Sequence, residues 1–231
     1  MTALTTPGTM HLTLRVLARL LDYPGPALRA QLAALPAALD AEAALSAPRR
    51  AALDAFLAWL AAQAPLEAEA AYVELFDRGR ATSLHLFEHV HGDSRERGPA
   101  MLELARTYAA AGLHLRADEL PDYLPVVLEY ASILPPAEAR AFLAETAHLL
   151  NAIFSALCQR DSPYAGLLAA LIELTGAQAE AVKPAAEEPL DAAWEEPPVF
   201  GGCSSRGQTR PAAPTSVPLV RRPAAHAGDL A

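Results

Sequence analysis

The sequence predicts an all-α protein. It forms a single bundle-like domain of about eight helices over residues 1–176, followed by a Pro/Ala-rich tail over 177–231. Three observations carry this. Apolar residues recur at helical spacing almost without a break up to Thr175. Alanine is abundant while aromatics make up only 6% of the chain, a balance that favours helices over sheets. Proline and glycine stand where helices begin and end.

The first helix is expected over Thr9–Asp22, with Leu12, Val16 and Leu20 on one face, stopped by Tyr23-Pro24-Gly25-Pro26. A second follows over Ala27–Leu39, with Pro36 as a break. Pro48 opens a third, striped by Leu53, Phe56, Leu57 and Leu60, and Pro65 a fourth that runs to Phe76. The polar stretch Asp77–Gly98 resists helical patterning. Pro99 and Gly112 bracket a fifth helix, and Pro121–Leu134 forms a sixth, bent or restarted at Pro125. After Pro135-Pro136 a long seventh is expected over Ala137–Arg160, and Ser162-Pro163 opens an eighth that stops at Gly176.

Beyond Gly176 lie eight of the 20 prolines and few large apolar residues, so little surface is available for burial and the tail is expected to be mostly disordered. Leu190-Asp191-Ala192-Ala193-Trp194-Glu195-Glu196 is the exception, and it has the make-up of a short docking element.

Charge narrows the function classes. A net charge of −9 is unsuited to nucleic acid, which needs a basic face to neutralise phosphates. Two cysteines, Cys158 and Cys203, build neither a disulfide framework nor a four-thiolate zinc site. No apolar run reaches the length of roughly 20 residues that crosses a bilayer, so no membrane insertion is expected and a reducing cytoplasm is the expected compartment. Phosphate-binding loops and serine-hydrolase elbows are absent from the sequence.

The richest segment runs from Tyr72 to Met101. It mixes three histidines, four arginines and five acids with large apolar side chains. His85-Leu86-Phe87-Glu88-His89 fits the H-x-x-E-H pattern of a zinc peptidase, in which two His one turn apart hold the metal and Glu acts as base. A structural alternative pairs Arg78, Arg80, Arg95 and Arg97 with Asp77, Glu88, Asp93 and Glu96, while the histidines donate to backbone carbonyls. A helical scaffold for an unrelated partner is a third reading.

Leu75-Phe76-Asp77-Arg78-Gly79-Arg80 and Leu86-Phe87-Glu88-His89-Val90-His91-Gly92-Asp93-Ser94-Arg95-Glu96-Arg97-Gly98-Pro99-Ala100-Met101 together resemble the signature of the NarJ family. These are the assembly chaperones of respiratory nitrate reductase, within the wider class of redox-enzyme maturation chaperones. Leu17–Pro24, Glu119–Pro125 with Leu128-Glu129-Tyr130, and Leu190–Glu196 are similar to further family elements, so the resemblance covers about residues 10–196. It departs from the family at Tyr123, where His is usual after Leu-Pro-Asp.

The resemblance implies a non-enzymatic chaperone without a cofactor of its own. Such a chaperone holds the apo catalytic (alpha) subunit of nitrate reductase, permits insertion of the molybdenum cofactor and an iron–sulfur cluster, and delays membrane docking. The client element is the subunit's N-terminal peptide, expected as an amphipathic, positively charged helix lying in a groove. Tyr72, Leu75, Phe76, Leu84, Phe87 and Met101 are the candidate apolar anchors. Glu88, His89, Asp93 and Asp122 are the candidate polar contacts.

Overall fold

The computed structural model describes residues 9–92, 94–117 and 119–181. These lie within the first of two units, Met1–Ala186 and Glu187–Ala231. The tail beyond residue 181, including the expected docking element at 190–196, is outside the described residues, as is Asp93.

Among the described residues there are eleven α-helices and no strand. In order these are α1 (His11–Leu21), α2 (Pro26–Gln31), α3 (Leu35–Glu42), α4 (Ala47–Ala62), α5 (Pro65–Tyr72), α6 (Leu86–Val90), α7 (Arg97–Ala110), α8 (Leu124–Ile133), α9 (Pro136–Glu145), α10 (Ala147–Gln159) and α11 (Ala165–Thr175). Proline occupies the first turn of six of them (α2, α3, α4, α5, α8 and α9), where its missing N–H has no intrahelical acceptor to lose. Gly176 ends α11 at φ 89°, a left-handed stop that suits glycine.

Two helices make the centre. In α11 eight of eleven residues are buried, an apolar surface on every side that has to be enclosed, and α1, α4, α9 and α10 enclose it. In α1 the buried side chains Leu14, Val16, Leu17, Leu20 and Leu21 pack against α8, α3 and α11. No side chain of its own caps α1. The Glu42 carboxylate, brought in by α3, instead accepts the Leu12 and Thr13 N–H groups at 3.3 and 2.7 Å. A negative group at the positive end of the helix supplies both hydrogen bonds and a favourable dipole interaction.

The long helix expected over Ala137–Arg160 is two helices, α9 and α10, bent by 65°. Thr146 lies at the break with φ −94° and ψ 0°, and its hydroxyl donates to Leu143 O at 2.9 Å. That local bond competes with the helical ladder, and the Leu149 and Leu150 N–H groups restart the next helix on Thr146 O. Pro36 likewise divides the expected second helix into α2 and α3, since Leu35 and Pro36 form the first turn of α3. Neither α9 nor α10, nor any other single described helix, is long and apolar enough to cross a membrane.

The polar stretch contains structure that periodicity does not reveal. After Tyr72 the helix widens into a π-turn over Val73–Asp77, where Arg78 N–H reaches back to Val73 O at 3.2 Å. The widening leaves Leu75 O without a helical donor, and the buried Thr82 hydroxyl takes it. A 3-10 turn over Arg80–Thr82 and the short α6 follow.

Candidate functional site

A cleft of about 430 Å³ opens between the C-terminal end of α1, the π-turn and the 119–123 loop. Its floor is aromatic. Phe76 lies 4.7 Å from Tyr72 between ring centroids, and Tyr23 meets Tyr72 edge-on at 5.7 Å. The Tyr72 hydroxyl donates to Leu21 O at 2.8 Å and shares a 2.8 Å hydrogen bond with the Tyr123 hydroxyl, which also reaches Asp22 Oδ1 at 3.3 Å. Burial pushes the Tyr72 and Tyr123 phenols well above the ordinary tyrosine range, so both remain neutral donors throughout the physiological span.

The rim is acidic and apolar together. Asp22, Asp77 and Glu119 surround the opening, with Arg116 held 3.6 Å from Glu119. Tyr23 and Leu120 are 44% and 46% exposed, large apolar surfaces set directly at the mouth. His85 stacks on Tyr123 at 5.2 Å and 30°, closing the far wall.

Asp122 holds this wall in place. It is 0% exposed, and its carboxylate accepts the Phe87 N–H at 3.1 Å while facing His85 Nδ1 at 3.4 Å and Arg97 Nη2 at 3.8 Å. Backbone bonds complete the clamp: Leu86 N–H donates to Asp122 O at 3.0 Å and Leu124 N–H to Leu84 O at 2.8 Å. The start of α6 is thereby fastened to the loop that supplies Leu120 and Tyr123.

Of the candidates read from the sequence, Tyr72, Phe76 and Leu84 come together in the cleft. Asp122 stands behind its wall. Leu75 is half-buried against the core, and Phe87 turns to meet His91 edge-on at 5.2 Å. Glu88 pairs with Arg97 at 3.6 Å beside Gly92, and His89 Nε2 lies 2.8 Å from Ser83 O, so that nitrogen carries the donated proton. Met101 is half-buried on α7, away from the opening. Sequence reasoning did not assign Asp22, Tyr23, Asp77, His85, Glu119, Leu120 or Tyr123 to the site. The available signal was that Tyr23 and Leu120 each precede a proline, inside stretches already singled out.

The zinc reading fails on geometry. His85 precedes α6 with an extended backbone (φ −85°, ψ 101°), so it does not share a helix face with His89. Their nitrogens turn to different partners, Asp122 and Ser83 O. Among the described residues no group of three or more His, Cys, Asp or Glu is arranged to hold a metal ion.

The all-helical fold is shared with a solved structure from Archaeoglobus fulgidus described as a redox enzyme maturation protein, which superposes with a TM-score of 0.52 at 19% identity, covering 76% of this chain and 99% of its own. Residues 42–170 match the family model described as nitrate reductase delta subunit. The chain is also 43% identical over 191 residues to the nitrate reductase molybdenum cofactor assembly chaperone NarJ of Escherichia coli K12, covering 78% of this chain and 81% of that one. A protein from Bacillus subtilis described as a probable chaperone of the same kind is 37% identical over 101 residues, 44% of this chain and 55% of its own. The chain belongs to the nitrate reductase delta subunit family.

Proposed function

We propose that this protein is a system-specific chaperone for nitrate reductase, and that its client is the catalytic subunit of that enzyme before the molybdenum cofactor is inserted. The names of its relatives support the chaperone role. The client-binding surface is our reading of the cleft, and the N-terminal segment of the catalytic subunit is its ligand.

One observation carries this reading. An aromatic floor formed by Tyr72 and Phe76 lies under a rim of Asp22, Asp77 and Glu119, with Leu120 and Tyr23 exposed at the mouth. That combination fits a basic amphipathic helix, whose apolar face covers the floor while its positive side chains meet the carboxylates. Neutral phenols in the floor lose little on being covered, because their hydroxyls already have partners inside the chaperone. A segment held this way is kept from other surfaces while the cofactor enters elsewhere in the subunit.

Calorimetric titration with a peptide copying the N-terminus of the catalytic subunit tests the reading. Binding is expected at low salt and weaker at high salt, since the rim charges act across solvent. Leu120→Ser and Asp77→Lys, both at exposed positions, are each expected to lower the affinity. No binding at low salt would reject the cleft as the client site.

A further inference from the structure

The cleft lies at one end of the α1–α8 pair. α1 and α8 run antiparallel: the Tyr123 hydroxyl meets Asp22 at one end, and Arg19 Nη2 lies 3.5 Å from Glu129 Oε1 further along. Arg15 and Arg19, four residues apart, share the outer face of α1. On α8 the outer face carries Glu129 and Ile133. A depression of about 330 Å³ lies between them, lined by Arg15, Arg19, Leu113, Glu129 and Ile133. A third depression, of about 290 Å³, shares Ile133 with it and reaches Met10 and Pro136. Separate depressions thus follow the seam between the two helices, with the Arg19–Glu129 pair crossing it. From Asp22 to Arg15 the seam spans seven residues, about 10 Å of helix.

Charge changes sign along the seam. Asp22, Asp77 and Glu119 surround the cleft, whereas Arg15 and Arg19 face a single carboxylate, Glu129, in the middle. Arg15 has no ion-pair partner among the described residues. Both arginines are exposed on a chain of net charge −9, and Ile133 beside them is 45% exposed. The two ends lie roughly one Debye length apart at physiological salt, so each sets its own preference for a ligand charge.

We infer that the seam is a second half of the client site: the segment seated in the cleft continues along α1 and α8 and presents a carboxylate, flanked by apolar side chains, to Arg15 and Arg19. The inference rests on the client reading of the cleft, and adds that the client is read by a change of charge sign and not by positive charge alone. The same change fixes direction, because a reversed helix brings acid to Asp22 and base to Arg15.

Three helical peptides of equal length test it by calorimetry: one with a basic cluster and a Glu about two turns after it, one with the Glu about two turns before it, and a Gln control. Wild-type protein is expected to bind one of the Glu peptides about tenfold more tightly than the control. The double variant Arg15→Glu/Arg19→Glu, with unchanged far-UV dichroism, is expected to abolish that difference. Replacing the peptide's Glu with Lys is then expected to restore tight binding to the variant. Equal affinity of the wild type for all three peptides would overturn the inference and leave the cleft standing. Failure of every peptide to bind removes the cleft reading and the inference with it.

Discussion

The hydroxyls of Tyr72 and Tyr123 lie 2.8 Å apart in the floor of the cleft, although their residues are 51 positions apart in the chain. The Tyr72 proton is directed to Leu21 O, so the single Tyr123 proton is shared between the Tyr72 oxygen and Asp22 Oδ1, 3.3 Å away. This ordered chain joins the end of α1, the end of α5 and the loop before α8 at one point.

The direction of the chain predicts unequal costs. Tyr123→Phe leaves Tyr72 with its carbonyl partner and is expected to cost about 1 kcal/mol. Tyr72→Phe leaves Leu21 O without its hydroxyl donor, while the Tyr123 hydroxyl keeps Asp22 Oδ1, and is expected to cost about 2 kcal/mol. Urea denaturation measures both, and the reverse order would contradict the assigned donors.

Burial raises the phenol pKa of Tyr72, Tyr108 and Tyr164 above the ordinary value of 10.0. The folded protein therefore retains protons that the unfolded chain releases once the pH passes that value. The stabilisation is complete below pH 10 and is lost as the pH climbs toward the folded-state values. Each tyrosine is expected to remove about 1.4 kcal/mol per pH unit in that window. Denaturant midpoints between pH 8 and about pH 11.5 are expected to be flat at first and then fall steeply. A flat profile throughout would mean that the phenols are not buried as described.

Asp122→Asn tests the clamp behind the cleft wall. Asparagine keeps the size but turns an amide donor either toward His85 or toward Arg97 and the Phe87 N–H, which face the same oxygen. Weakening the hydrogen bonds to this buried carboxylate is expected to cost about 2 kcal/mol, read from the shift in urea midpoint.

Two glycines in the same stretch are expected to respond oppositely to alanine. At Gly79 a Cβ would lie 2.7 Å from Leu75 O and 2.9 Å from Arg160 Nη1, and would also collide with the Thr82 hydroxyl. Gly79→Ala is expected to lose about 2 kcal/mol by such overpacking. At Gly98, in the first turn of α7, a Cβ meets nothing within 4 Å. Gly98→Ala is expected to gain up to about 0.5–1 kcal/mol of helix propensity, and thermal denaturation separates the two.

The sequence alone determined the helical class and most helix starts, because prolines and alanines act locally. Pro26, Pro48, Pro65 and Pro125 all fall in first turns. The central segment was also legible: its unusual mix of His, Arg and Phe marked Tyr72, Phe76 and Leu84, which line the cleft. Only the tertiary structure decided the rest. The bend at Thr146 depends on one hydroxyl choosing a carbonyl, which periodicity cannot register. Asp22, Tyr23, Leu120 and Tyr123 reach the site because α1 and α8 run side by side in opposite directions, joining residues about 100 positions apart. Hydrophobic periodicity says which face of a helix is covered and not by which helix. A cleft built from the ends of three elements, and the change of charge along the α1–α8 seam, therefore exist only once those helices have packed.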